Sequence, residues 1–416
     1  MTNSSRNPLP LEGFRALDLT NENGYLCGKV LGDLGADVIK VEPPAGDSAR
    51  RLGPFYHDDP HPEKSLSWWA YNTNKRSITL NLDTIDGQEL FKKLVARSDF
   101  LVETFPPGYL KSLGLDYSDL EKINPKLVMT TITPFGSTGP YKDYAASDIV
   151  IQAAGGLMHL CGNEDRAPVR VSVPIAHAQA GVQAALGSVI AHYSCSKTGE
   201  GQHVETSMQA AIVNNLIDIQ QHWDIDKRMT HRGARIQWGP ILTGLVYKCK
   251  DGYVVWKWFV DKGRGRRNTG LIKWMAEEGE DEGLAGWDFE SMTLYNMTQA
   301  QADHMEATVA KFFAKRTKAE IYGQALKRRF LTFPVSSPAD ILGNQQLESR
   351  RFFQKIPHPE LNDSVTYPGA FVKSTASDYG VRSRPPLIGE HNEAIYLNEL
   401  GLSKNELTML KEAGIV

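Results

Sequence analysis

Cysteine is scarce: the chain of 416 residues has four, at positions 27, 161, 195 and 249. None of them forms a CxxC pair, so neither a disulfide framework nor a cysteine-based zinc site is expected, and reduced core thiols fit a cytosolic protein. No apolar run approaches the ~20 residues that cross a bilayer. The start of the chain, Met1 to Asn7, is polar and lacks the apolar segment of a signal peptide. Excess charge is also absent. A formal net charge of -3 with 23% charged residues gives no reason to expect nucleic acid or an anionic membrane as partner. The eleven histidines show no HExxH or comparable ligand spacing. His222 and His231 read as surface residues, and no metal is expected. There is no internal repeat and no low-complexity tract.

What remains is an ordinary globular composition, 41% hydrophobic, at a length that exceeds one simple core. The first third alternates short β-rich runs with helical stripes. Phe14 to Leu19, Asp37 to Val41, Ser77 to Leu82, Phe100 to Val102 and Leu127 to Thr133 read as strands. Between them, Cys27, Val30, Leu31 and Leu34, and then Leu90, Phe91, Leu94 and Val95, mark helix faces. That rhythm predicts a parallel sheet with helices on its faces, an α/β fold whose ligands sit beyond the carboxyl ends of the strands. Those ends carry Asn21 to Gly24, Glu42 to Gly46, Glu103 to Gly108 and Pro134 to Gly139.

From Ile175 to His192 nearly every residue is Ala, Gly, Val, Ile or Leu, which predicts a close-packed buried helix started by Pro174. Beyond Trp223 the composition changes. A basic loop, Lys262 to Arg267, and an acidic one, Glu277 to Glu282, flank a Trp-containing helix. The chain divides on this basis into 1–222, a smaller α+β part at 223–333, and a C-terminal segment 334–416.

Seven segments, in order, resemble family III CoA-transferases. They are Leu11-Glu12-Gly13 with Ala16 to Thr20, Leu34 to Glu42, Asn74 to Ile78, Val102 to Gly108, Phe135 to Tyr141, Lys197 to Gln202 and Gly389-Glu390-His391. The resemblance covers most of the chain. It implies a Rossmann-like large domain built from both chain ends, a small α+β domain between them, and two subunits interlocked like links, so that oligomerisation is obligatory. It also implies coenzyme A or an acyl-CoA as substrate, with a small carboxylic acid as acceptor.

CoA offers phosphates, which take cations and backbone N–H groups, and an adenine, which takes flat apolar contacts. On the resemblance, Asn74, Lys75 and Arg76 approach the nucleotide; without it, they are a solvated turn. Thr104 and Phe105 fall where family members line the CoA site, with Lys111 nearby as a phosphate partner, although Phe105 also reads as plain packing. Asn23 and Gly24 occupy the corresponding first loop, where Glu22 opposes a phosphate.

Position 177 is where the resemblance places the reactive aspartate, and here it is histidine. The family reaction needs a carboxylate there, which attacks an acyl-CoA to form a mixed anhydride and release CoA thiolate, and is then carried through an enzyme-bound thioester. An acyl-imidazole hydrolyses readily and has no carboxyl to become that thioester. His177 therefore reads as the filler of a vestigial site or as a general base. Ser147 stands where family racemases carry a histidine, so their His–Asp pair is absent. Asp148 reads as a helix cap or a substitute carboxylate. Gln237 to Pro240 lacks the glycines of the mobile loop found in formyl-transferring members. These departures, with the overall run, are similar to the aspartate-lacking subunit of a heteromeric family member. A paralogous chain carrying the aspartate is then the expected partner, with succinyl-CoA as donor and benzylsuccinate, from anaerobic toluene degradation, as acceptor. The alternatives are a homodimeric acyl-CoA enzyme using His177 as an acid–base group, or a CoA-binding scaffold. Five tryptophans, at 68, 69, 238, 256 and 258, read as an aromatic pocket or as core.

Overall fold

The computed structural model describes residues 7–233 and 235–416; residues 1–6 of the polar start lie outside them. The chain forms two compact units. The larger runs to His159, resumes over Arg170–Met229 and takes back Gln346–Val416; the smaller holds Leu160–Val169 and Thr230–Gln345.

The larger unit is built on six parallel strands: β1 (Arg15–Leu19), β2 (Asp37–Glu42), β3 (Lys75–Thr79), β4 (Phe100–Glu103), β5 (Val128–Thr133) and β6 (Gln202–Ser207). Their spatial order is β3-β2-β1-β4-β5-β6. The chain runs outward from β1 in one direction, then returns to build outward from β4 in the other. The crevice between β1 and β4 is the switch point where such sheets bind ligands. All but three of the residues in β1 to β5 are buried, and the three, Arg15, Asp37 and Arg76, are half-buried, as expected for strands covered on both faces. Leu17, Ile39, Ile78 and Leu101 face one helical layer with Leu90, Phe91 and Leu94, while Ala16, Val38, Phe100 and Val102 face the other.

Helix α1 (Tyr25–Asp33) lies so close to the sheet that a Cβ at Gly28 would fall 2.1 Å from the Asp18 carboxylate. Edge strand β3 is covered by the returning C-terminal segment. His391 N–H donates to Ser77 O at 2.9 Å, and the Tyr396 hydroxyl donates to Thr79 O at 2.8 Å. That segment closes an edge that would otherwise pair with another chain.

Helix α2 (Leu66–Tyr71) and helix α3 (Ile85–Val95) flank β3, and the short helices α4 (Tyr109–Ser112) and α5 (Tyr117–Leu120) follow β4. Helix α6 (Asp148–Ala154) precedes the longest one, α7 (Ile175–Thr198), and α8 (Met208–Asn214) follows β6. On α7 the buried residues are all small: Ala176, Ala180, Gly181, Ala184, Ala185, Ser188, Ala191 and Cys195. Its large apolar residues point the other way. Val182, Leu186, Ile190 and Tyr193 are 48%, 60%, 58% and 65% exposed, at the spacing of a single helix face. The sequence predicts a helix buried all round; in the single chain, one side is open.

The smaller unit has a three-stranded antiparallel sheet, Thr332–Pro334, Gly252–Trp256 and Val246–Cys249 in that order, beside a hairpin of Arg235–Trp238 and Ile241–Gly244. Trp256, Trp258 and Trp274 form its core with Phe312 and Phe313, and Trp68 and Trp69 are likewise buried in the larger unit. The boundaries differ from 223–333. Helix Ile219–Asp226 stays with the larger unit, and Leu160–Val169 joins the smaller one, where the Arg232 guanidinium bonds Asn163 O and Arg166 O. Among the described residues no helix is long and apolar enough to cross a membrane, and no three metal-ligating side chains converge.

Candidate functional site

A cavity of about 340 Å³ opens at the carboxyl ends of β1, β2, β3 and β4. Its walls are Thr20 and Asn21 after β1, Pro43 and Ala45 to Ser48 after β2, Leu80 to Asp83 after β3, and Thr104, Phe105 and Tyr109 after β4. Three of the four strand ends singled out from sequence meet here; Pro134 to Gly139, beyond β5, is not part of the wall. Asn21 ties the first and last walls together: its N–H donates to Thr104 Oγ1 at 2.8 Å, and its side-chain oxygen accepts from that hydroxyl at 3.0 Å. Gly24 lies behind this contact. A Cβ there would fall 2.6 Å from Thr104 Cγ2, so the loop needs glycine to approach so closely. Asn23 donates its N–H to Asn21 Oδ1 and is not in the wall. Phe105 and Tyr109 stack obliquely at 4.7 Å and offer aromatic surface, with the Tyr109 hydroxyl donating to Asp83.

The structure places Lys75 and Arg76 elsewhere. Both begin β3, at the amino end of the sheet, and neither is in the cavity wall. The Lys75 ammonium is fully buried and has an acceptor for each of its three protons: Asp18 Oδ2 at 2.7 Å, Asn72 Oδ1 at 2.9 Å and Tyr25 O at 3.1 Å. It has no donor left for a phosphate. Arg76 is bidentate on Asp37 and also binds Glu399 at 2.6 Å. Asn74, at φ 62, bonds Asp33 and Gly380 O. Lys111 is exposed on α4 and outside the cavity wall.

Beneath the wall lies Glu103. Burial pushes its carboxyl up to about 7, against hydrogen bonds from Thr131 and the Phe105 N–H that pull it down. In an unfolded chain the same group ionises near 4.5. Between those values the folded protein holds the extra proton, so this group's contribution to stability falls as pH rises from 4.5 to about 7, then stays flat. The cost at higher pH is on the order of 3 kcal/mol. Glu103→Gln keeps an acceptor for Phe105 and removes the charge. Its unfolding temperature should exceed that of the wild type near pH 8 and converge with it near pH 5; a gap independent of pH would refute the assignment.

His177 lies in the first turn of α7, whose N-terminus has no side-chain cap from its own N-cap residue. The free N–H of Ala176 is taken instead by Asp148 Oδ1 at 2.8 Å. The other Asp148 oxygen accepts from the Gln152 amide, and Gln152 Oε1 accepts the Val171 N–H at 2.9 Å. Both oxygens of Asp148 are thus engaged in fixing the approach to α7. Burial lowers the His177 pKa below the ordinary histidine value, outweighing the pull of Asp148 and Glu22. The neutral ring has a buried Nε2 without a partner. Loop Thr20 to Gly24 connects the two places, lining the cavity with Thr20 and Asn21 and carrying Glu22 to the neighbourhood of His177.

Comparison with known proteins decides the relationship. A model of "CoA-transferase family III" matches residues 11–392. The chain belongs to that family. It is 34% identical to the succinyl-CoA:(R)-benzylsuccinate CoA-transferase subunit BbsE of Thauera aromatica, over 97% of each chain. It is 32% identical to a formyl-CoA:oxalate CoA-transferase of Streptomyces avermitilis, over 98% of this chain and 99% of the other. A CAIB/BAIF family protein from Brucella suis has the same fold, with a TM-score of 0.83 at 28% identity, covering 94% of this chain and all of that one. Arg51, Asn81 and Leu82 were not singled out from sequence. Asn81 and Leu82 read from sequence as the end of the strand Ser77 to Leu82, and Arg51 follows a buried Arg50 in a short turn with no motif around it.

Proposed function

We propose that this chain is the subunit of a heteromeric CoA-transferase that does not carry the covalent intermediate. The enzyme moves CoA from an acyl-CoA such as succinyl-CoA to a carboxylic acid such as benzylsuccinate. The observation that carries the proposal is the neutral, half-buried His177 at the α7 N-terminus, beside an Asp148 whose oxygens are already bound. No free carboxylate stands there to become an anhydride and then a thioester. The paralogous chain supplies it. The cavity walled by Thr104 and Phe105 is the place on this chain for CoA.

The exposed side of α7 supports a partner chain. A helix apolar on every side is stable only when every side is covered, and α6 and α8 beside it add exposed Ile149, Val150 and Val213. The partner we assign is the paralogue, interlocked with this chain. Leu186→Glu with Ile190→Glu should release this chain from the assembly while its own fold, whose core lies on the opposite face, keeps its unfolding temperature within about 2 °C. Retained assembly, measured by light scattering, would remove α7 from the interface.

Purification from the native source tests the whole reading. A sister chain should co-purify, the complex should transfer CoA, and this chain alone should not. A second reading rests on the unpartnered Nε2, which suits an acid–base group in a self-sufficient homodimer. That reading requires activity in the pure chain, lost in His177→Ala.

A further inference from the structure

Three side chains of the larger unit join the cavity wall to the edge of the sheet in one line of hydrogen bonds. Leu101 on β4 and Met129 on β5 pack in the core that contains Leu110 of α4 and Leu120 of α5. Glu103 and Thr131, two residues further along each strand and in register with one another, lie on that same face. His203, on the edge strand β6, is in register with Met129. Glu103 is 4% exposed; its Oε2 accepts the Phe105 N–H at 2.6 Å, and its carboxyl is bonded to the Thr131 hydroxyl. That hydroxyl lies 2.9 Å from Nε2 of His203. His203 is exposed and stacks on Tyr117 of α5, with ring centroids 5.7 Å apart. No charged side chain acts on Glu103 among the described residues. Glu205 on β6 and Asp116 before α5 act on His203, but partial burial outweighs them and holds the ring below the ordinary histidine value, so it is neutral when Glu103 titrates.

A hydroxyl has one proton and gives it to one neighbour at a time. When Glu103 is a carboxylate it takes that proton. Thr131 then accepts from His203, whose own proton sits on Nε2. When Glu103 is protonated it donates to Thr131, Thr131 donates to Nε2, and the His203 proton sits on Nδ1. We propose that these three residues form a proton switch: a proton leaving Glu103 passes through the Thr131 hydroxyl to Nε2 while another leaves Nδ1 for solvent, and the carboxylate left behind tightens its hold on the Phe105 backbone. The last step follows because a hydrogen bond to an ionised acceptor is roughly twice as strong as a neutral one. The wall carrying Phe105 and Tyr109 is thereby firmer above the titration of Glu103 than below it, whatever occupies the cavity. The switch is independent of the role assigned to His177.

The test reads the His203 tautomer by nitrogen-15 NMR of the native assembly labelled in histidine, with His203→Gln to identify the signal. As pH rises through about 7, the neutral ring should pass from the Nδ1–H to the Nε2–H form. Glu103→Gln, whose amide donates to Thr131 as the protonated acid does, should hold the Nδ1–H form throughout. Thr131→Val, of nearly the same shape, should leave a single form at every pH. Hydrogen exchange at the Phe105 amide gives a second reading. Its protection, corrected for the intrinsic effect of pH, should rise about fivefold across the same range and stay flat in Glu103→Gln. One tautomer at every pH in the wild type would overturn the switch, and so would a tautomer change that survives Thr131→Val. Flat protection of Phe105 in the wild type, alongside a tautomer change, would sever the switch from the wall.

Discussion

Alanine at position 177 is expected to leave CoA transfer by the two-chain enzyme within about twofold of the wild type. Removal of the partner subunit's reactive carboxylate should cost on the order of 10⁴-fold or more, as the loss of a covalent nucleophile does. The asymmetry follows from chemistry at one position. A carboxylate at the start of α7 would be kept ionised by the helix N-terminus and left free to attack. The imidazole found there is held neutral by burial, with one nitrogen sealed away from solvent and partner alike. Under the proposed function Asp148 is not a substitute carboxylate. Its bonds to Ala176 and Gln152 would have to break before either oxygen attacked, and the approach to α7 would loosen with them. Steady-state assays of the reconstituted pair decide the matter. A loss of 10²-fold or more in His177→Ala, with a pH profile that moves, would instead make this histidine an acid–base group.

Some of this was legible in the residues and some was not, for definable reasons. Four of the five predicted strands lie within a residue of where the apolar runs place them, because each run is bounded by glycine, proline or a polar turn. Three of the four loops expected at the ligand end wall the cavity. The fourth wall escaped notice because Ser77 to Leu82 is apolar enough to read as one strand, whereas β3 ends at Thr79 and Leu80 to Asp83 turn into the cavity. Lys75 and Arg76 are a different case. Their motif precedes a strand, and in a parallel sheet that is the end away from the ligand. Strand direction alone argued against nucleotide contact; the resemblance drew attention the other way. The apolar character of α7 was plain, but which side the chain itself would cover depends on α1, where Gly181 lets the two helices approach so that a Cβ would lie 2.9 Å from Leu26. Pairings across distant sequence, such as Arg232 with Asn163, leave no local signal.

Lys75→Met should be among the most destabilising single changes in the protein, and the reason is a closed set of buried bonds. Asp18 is fully buried, with Oδ2 on Lys75 and Oδ1 on the N–H and hydroxyl of Thr20, at 3.0 and 2.6 Å. Burial by itself would raise its pKa; Lys75 and Lys40 outweigh that and hold the carboxyl below its ordinary value. Gly28 allows α1 to close over the pair. With methionine at 75, Asp18 Oδ2, Tyr25 O and Asn72 Oδ1 all lose the ammonium that donates to them at once, a cost of about 3–5 kcal/mol for breaking one side of a buried pair. The unfolding temperature should fall by roughly 3–8 °C. The pH dependence adds a signature. The contribution of Asp18 is present above its unfolded value and is lost as pH falls through the lower folded one, so the gap between wild type and Lys75→Met should narrow in acid. Binding of CoA per folded molecule should be unchanged, because the ammonium offers it nothing. A Lys75→Met protein with an unaltered unfolding temperature and abolished CoA binding would return this lysine to the nucleotide and undo the placement argued here.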